Sequence, residues 1–388
     1  ESYVSSLLSQ MTLKEKAGQM SQLNHDDEKL DRAIINGAVG SVINEVDLDI
    51  INEFQRIATQ ESRLGIPLLI GRDVIHGYHT IFPIPLAQAA SWSPELVETS
   101  ANMAAIESSN NGINWTFAPM IDISRDPRWG RIAESFGEDP YLISELGVEM
   151  INGYEGEDND LSNPEHVASS LKHFLGYHAA TSGKDRTPSY IPTSALREYH
   201  LPAFKAAVEA GAHTVMVNSG IINGIPVHAN KNLLTGLLKN ELNFKGIVVT
   251  DWADIENLNR RDRIAKDDKE AVMMAINAGI DMSMVPYKYE VFYNNLVELV
   301  NEGKVKEERI NDAVRRILRV KFALNLFEHP TTNPKDYPEF GSEAFEKAAY
   351  HTAAESITLL KNEEHILPLK KNTKIYVIMK EMLMALKY

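Results

Sequence analysis

Residues 246–252 read Gly246-Ile-Val-Val-Thr-Asp251-Trp252, an apolar run that stops on a carboxylate beside an indole. A short β-branched run without polar alternation is the pattern of a strand buried on both faces, as in a parallel sheet. The same layout recurs upstream. Residues 66–73 end in Gly71-Arg-Asp73, residues 115–122 in Met-Ile-Asp122, residues 168–173 in Leu-Lys172-His173, and residues 214–219 in Val-Asn218-Ser219. Two more apolar runs, 38–43 and 280–285, make seven. Amphipathic stretches such as 94–110, 196–210 and 268–278 lie between them. Strands alternating with helices indicate βα units. The spacing predicts an α/β fold, a (β/α)8 TIM-like barrel with an irregular strand or two. A doubly wound open sheet is the competitor, and it loses ground because no Gly-x-Gly-x-x-Gly follows the first strands.

The 388 residues are 44% hydrophobic and 24% charged, ordinary globular proportions. The net charge of −15 repels phosphate backbones and anionic bilayers, so neither nucleic acid nor a membrane is expected as partner. Cysteine is absent, which excludes disulfides, thiolate metal sites and a cysteine nucleophile, and leaves the compartment open. No stretch approaches the ~20 apolar residues of a membrane span. A one-faced helical pattern runs over 306–325 and is followed by the proline-rich 329–338. These features set the expected domains: a barrel over 1–325, a linker over 326–350, and the stub of a second α/β domain over 351–388. Lys374-Ile-Tyr-Val-Ile reads as the first strand of that stub, and the Met- and Leu-rich 379–386 as helix-like.

In a parallel barrel the strands end on one face, where reactive groups collect. Asp73, Asp122, Arg131, Lys172, His173, Ser219, Asp251 and Trp252 all follow an apolar run or its loop. Carboxylates with Arg or Lys can hold sugar hydroxyls in pairs, and an indole can pack on the apolar face of a pyranose. Phosphate binding would require a Gly-rich loop at a helix start, and none is seen. Bland readings stand beside each residue. Asp73 or Asp251 could cap a helix, Trp129 and Trp252 could be core, and Arg131 could pair with Glu134 or Glu138. His173 could be a satisfied core histidine. Lys172 is harder to dismiss, because a Lys ending an apolar strand needs a partner charge or a ligand. His25-Asp26-Asp27 and Arg260-Arg-Asp-Arg263 read as solvated loops. His76 and His79 find no third ligand, so no metal and no other cofactor is expected.

The chain resembles the β-glucosidases and exo-β-glucanases of glycoside hydrolase family 3. The stretches that carry the resemblance are Gly71-Arg-Asp-Val-Ile-His-Gly77, Arg125-Asp-Pro-Arg-Trp-Gly-Arg131, Glu138-Asp-Pro-Tyr141, Lys172-His-Phe174, Asn223-Gly-Ile-Pro-Val-His228 and Val249-Thr-Asp-Trp252. The resemblance implies a retaining, exo-acting hydrolase of terminal β-D-glucosyl residues, acting on a β-glucoside or β-gluco-oligosaccharide. It implies Asp251 as the nucleophile. Asp73, Arg131, Lys172 and His173 would grip the sugar hydroxyls, and Trp252 would flank the site. Ser219, at its strand end, is a further candidate contact. Lys172 and Arg131 are expected to keep Asp251 ionised. Family habit implies a periplasmic or secreted location.

The pattern is departed from in three places. The acid/base Glu of the two-domain members belongs to their second domain, and no residue here matches it. A missing domain or a second chain would then supply the proton. The loop 175–188 lacks the Asp-x-His of the N-acetylglucosaminidase branch, with His178 the one conceivable stand-in. Ile221 stands where a polar residue is usual. Two rivals stay open: an N-acetylglucosaminidase, and a noncatalytic sugar-binding barrel.

Overall fold

The structure is a computed structural model and describes residues 1–376. The chain divides into two units, Glu1–Ser356 and Ile357–Tyr388. Eight parallel strands organise the first: β1 (Ser21–Asn24), β2 (Ser41–Ile43), β3 (Leu69–Arg72), β4 (Trp115–Thr116), β5 (Ser170–Phe174), β6 (Thr214–Val217), β7 (Ile247–Val249) and β8 (Ser283–Met284). Their ladders run β8-β1-β2-β3-β4 and β5-β6-β7. Single parallel bridges join the two sheets. Trp115 pairs with Ala168 and Met120 with Lys172 on one side, and Val249 with Met282 on the other. The ring therefore closes, as a (β/α)8 barrel requires.

Seven of these strands fall in the seven apolar runs. The eighth, β1, is Ser21-Gln22-Leu23-Asn24, too polar to read as a buried strand, yet all four residues are buried. Most of its polar side-chain groups find partners inside: Gln22 Nε2 donates to Ser41 Oγ at 2.8 Å, and Ser21 Oγ to the Ala17 carbonyl at 3.2 Å, while Gln22 Oε1 has no partner among the described residues. Neighbours replace the water such a strand would otherwise need. Trp115 on β4 donates its indole N–H to Thr214 Oγ1 on β6 at 2.8 Å, tying strands from the two ladders together.

The helices lie close to their predicted positions. Pro94–Asn110 and Asp268–Ala278 match, and the 306–325 pattern is the helix Glu307–Ala323. The segment expected as a linker is fastened to the barrel unit. Tyr337 and Phe345 bury against Ile106, and the Tyr337 hydroxyl donates to the Pro164 carbonyl at 2.8 Å. A helix, Glu343–Glu355, follows there, with the Ser342 hydroxyl accepting from the Phe345 N–H. Residues 374–376 carry no strand. Residues 377 and 378 of the expected strand, and the expected helical tail 379–386, lie outside the described residues.

At the entry to β7 and β8 sits a buried ion cluster. Asp281 accepts from Lys239 Nζ at 2.6 Å, from the Val248 N–H at 2.9 Å and from Arg309. Arg316 donates to the Phe244 carbonyl at 2.9 Å beside it. Burial works against the Asp281 charge, but Lys239, Arg309 and Arg316 outweigh it and hold the carboxyl below its ordinary value. The stabilisation is present above the unfolded-state pKa of ~3.9 and is lost as pH falls through the lower folded value. Asp281→Asn strands two buried cations, and urea denaturation near pH 7 is expected to show a loss of roughly 3–5 kcal/mol.

Candidate active site

A pocket of about 610 Å³, its open mouth included, lies at the C-terminal ends of the strands. Asn44 follows β2, Asp73 follows β3 and Phe117 follows β4. Lys172 and His173 come from β5, Met216 from β6, Asp251 and Trp252 follow β7, and Met284 ends β8. Arg131 and Arg186 enter from loops. The register of β5 against β6 shifts between Leu171 and Phe174. Such an irregularity re-aims side chains, and two consecutive residues, Lys172 and His173, both reach the pocket. Gly71 is required by close approach, because a Cβ there would stand 2.7 Å from the Phe117 ring.

Six of the eight residues singled out by sequence, Asp73, Arg131, Lys172, His173, Asp251 and Trp252, line this one pocket, and Asp122 meets it through His173. Lys172 has the partner its burial demands: its Nζ lies 2.7 Å from Asp73 Oδ1, with the Lys side chain 3% exposed and the Asp side chain 57%. Arg131 forms a fork with Glu134 (2.7 and 2.8 Å) and lies over the rings of Trp129 and Tyr177. The pairing with Glu134 is real, and it holds the guanidinium at the pocket wall. His173 Nδ1 is 2.8 Å from Asp122 Oδ2, which also accepts the His173 backbone N–H at 2.9 Å. Burial keeps the imidazole well below its ordinary value and so neutral. Its hydrogen is then on Nδ1, and Nε2 turns its lone pair to Arg131 Nη2 at 3.5 Å. Burial pushes the Asp122 carboxyl up to about 7, while the His173 N–H pulls it down.

Asp251 is buried. Its Oδ1 accepts the Trp252 N–H at 2.6 Å, and its Oδ2 lies 3.4 Å from Arg186 Nη2. Burial first, and then the Asp254 carboxylate, raise its pKa; Arg186, the Trp252 N–H and Arg131 lower it. The expectation that Lys172 neutralises Asp251 is corrected here. Lys172 is committed to Asp73, and the cation in contact with Asp251 is Arg186. Trp252 is 40% exposed and meets Tyr287 edge to face.

Ser219 is the exception. It is buried outside the pocket lining, and its hydroxyl accepts from Arg186 Nε at 3.1 Å and Arg261 Nη1 at 3.3 Å. The hydroxyl expected to contact substrate is engaged by two guanidinium groups in this structure. Arg261, read as part of a solvated loop, is half-buried between Asp254 and Asp262. His178 does not line the pocket. It packs against Trp129 and His200, and burial pushes it down to about 3. Arg186 was missed. It sits in the turn-like 181–188, and what places it is a left-handed backbone (φ 58°) beside Asp185, which accepts the Trp129 indole N–H at 2.9 Å. Among the described residues no three His, Cys, Asp or Glu side chains group as a metal site.

The Asp122–His173 pair is the rigid floor of this arrangement. Asp122→Ala leaves two buried N–H donors unpaired and opens a void. Chemical denaturation is expected to show a loss of about 2–4 kcal/mol.

Comparison with known proteins agrees with this geometry. Residues 12–320 match the glycosyl hydrolase family 3 N terminal domain. The chain is 39% identical to a lysosomal beta glucosidase of Dictyostelium discoideum, covering 96% of this chain and 50% of that protein. It is 37% identical to a periplasmic beta-glucosidase of Salmonella typhimurium, covering 97% and 50%. A variant beta-glucosidase from Listeria innocua, solved in complex with laminaribiose, superposes with a TM-score of 0.90 at 36% identity, covering 96% of this chain and 54% of that one. The chain spans about half the length of the curated relatives it matches. A closed barrel, one polar pocket at its strand ends and a profile match over most of the chain converge: the chain belongs to glycosyl hydrolase family 3.

Proposed function

We propose that this barrel is the glycone-binding and nucleophile-bearing part of a retaining, exo-acting β-glucosidase. The observation that carries the reading is Asp251, a buried carboxylate at a strand end whose pocket also holds Asp73–Lys172, Arg131 and His173. In this reading Asp251 attacks the anomeric carbon, the bond to the aglycone oxygen breaks, and that oxygen takes a proton. Water then cleaves the glycosyl ester, and the two inversions give net retention. Asp73, Arg131 and Lys172 hold the hydroxyls of the terminal sugar, and Trp252 borders the aglycone side.

Among the described residues the carboxylates lining the pocket are Asp73 and Asp251, and Asp73 is bound to Lys172. Neither is free to protonate the leaving oxygen, so we assign the general acid to a group outside this pocket, in a further domain or a second chain. We place the natural substrates among β-glucosides and short β-gluco-oligosaccharides, and the location in the periplasm or outside the cell. The beta-glucosidase names of the relatives support the first assignment, and the periplasmic Salmonella typhimurium relative supports the second. No helix among the described residues is long and apolar enough to cross a membrane.

The test is intact-mass measurement and peptide mapping after incubation with 2-deoxy-2-fluoro-β-glucosyl fluoride, whose leaving group needs little acid assistance. One fluoroglucosyl adduct on Asp251 is expected, with none on Asp251→Asn. Absence of the adduct on a chain shown to be folded would sink the nucleophile assignment. Faster labelling by the xylosyl counterpart would assign a pentoside instead. For natural disaccharides, turnover by these residues alone is expected to fall about 10²–10⁴-fold below that of an enzyme with its acid in place.

A further inference from the structure

Around Asp251 lies a second layer of charge, which Arg186 joins to the pocket. Arg186 contacts Asp251 Oδ2 at 3.4 Å, Asp185 Oδ2 at 3.0 Å and Ser219 Oγ at 3.1 Å. The same Ser219 oxygen accepts from Arg261 at 3.3 Å, and Arg261 Nη1 reaches Asp254 Oδ1 at 3.2 Å. Asp254 is fully buried three residues after Asp251, at the start of the helix Asp254–Arg260, with Asn257 donating to its Oδ1 at 2.8 Å. Its Oδ2 has no hydrogen-bond partner among the described residues. His228 Nδ1 lies 3.8 Å from that oxygen, and His228 Nε2 accepts the Asp251 backbone N–H at 3.4 Å. That bond fixes the tautomer: the neutral imidazole carries its hydrogen on Nδ1, toward Asp254.

Two carboxylates this close, both out of water, cannot both ionise without cations between them. Arg186 and Arg261 are those cations, and one hydroxyl locks them together. We infer that Asp254, Arg261 and Ser219 are positioning residues that hold Arg186 against Asp251, and that Arg186 is the group that keeps Asp251 ionised for attack. The inference rests on the reading of Asp251 as the nucleophile. It explains why Arg186 keeps a left-handed backbone, which is uncommon for a non-glycine residue and persists where the surroundings fix it. Ser219 receives two guanidinium donors, so its own hydrogen remains free to give.

The groups facing Asp251 come from every element around it: Asp254 and Trp252 from its own loop, and Arg186 and Tyr177 from the loop after β5. His228 packs from below, Arg131 comes from the loop after β4, and Lys172 and His173 share the pocket. Among them Asp254 and Arg186 act on Asp251 with opposite sign. That opposition supplies the test. The rate of covalent labelling by 2-deoxy-2-fluoro-β-glucosyl fluoride is followed from pH 4 to 8, and its acid limb reports ionisation of the nucleophile.

In Arg186→Gln the limb is expected to move up by about one pH unit, roughly a tenfold loss of rate at a fixed pH on that limb. In Asp254→Asn, which keeps the acceptor for Arg261, it is expected to move down by about half a unit. Ser219→Ala should move it up, by less than Arg186→Gln, and Arg186→Lys should restore part of the shift. Arg186 is on an exposed loop, so its variants are expected to fold, and thermal unfolding of each variant checks that. A fall in rate equal at all pH values, or limbs that stay with the wild type, would overturn the inference while leaving the nucleophile in place. Failure to label Asp251 in the wild type would remove the reading beneath it as well.

Discussion

A lysine ammonium cannot end a buried strand without a counter-charge, and the site is arranged around that demand. Lys172 is nearly inaccessible, and its Nζ is met at 2.7 Å by Asp73 from the neighbouring part of the ring. The closed parallel barrel makes the encounter possible, since every strand delivers its terminal residues to one face. It also makes it necessary, because several strands deliver charged groups at once. Each must find an opposite partner or remain hydrated. Arg131 takes Glu134, His173 takes Asp122 and Arg186 takes Asp185, and the pocket is the space these pairs leave open.

The two faces of the barrel meet the same demand differently. At the strand entries, Asp281 is closed in by Lys239, Arg309 and a backbone N–H, with Arg316 beside them. Nothing there is left over for a ligand, and the cluster binds helix to strand. At the strand ends, the Asp73 side chain is 57% exposed while its partner is buried. An ion pair with one exposed member keeps hydrogen-bonding capacity for a polyhydroxylated ligand. The difference between a structural cluster and a binding cluster is therefore how many of the lone pairs are already taken.

Much of this was legible because apolar runs and the residues that end them are local signals. Seven strands and six pocket residues follow from reading what stands after each run. What escaped depends on partners distant in sequence. β1 is polar, and Ser41 and the Ala17 carbonyl partner the donors of its Gln22 and Ser21 side chains. Arg186 sits among Ser, Gly, Lys and Asp, a composition that reads as a solvated turn. Its place is set by Trp129, held through Asp185, and by Ser219. Arg261 reads as a solvated charge run until Asp254 is seen beside it. Ser219, by contrast, was visible as a strand-end residue but not as a residue already occupied by two guanidinium groups.

On the proposed reading, the distances within the pocket separate the groups that would bind from the group that would react. Lys172–Asp73 and Arg131–Glu134 close to 2.7 Å, the length of strong charge-assisted bonds. Arg186 approaches Asp251 only to 3.4 Å. A carboxylate gripped bidentately at 2.7 Å would be ionised but poorly nucleophilic, because its lone pairs would be engaged. An isolated one, buried beside Asp254, would be pushed toward the neutral acid. A loose contact from one guanidinium lies between these limits. It works against the upward push of burial and Asp254, and it leaves Oδ2 without a short, strong bond that attack on a sugar carbon would have to break. The covalent glycosyl ester carries no charge on Asp251, so a strongly stabilised anion would make that step uphill. A long, single contact held from behind by Ser219, Arg261 and Asp254 meets both requirements.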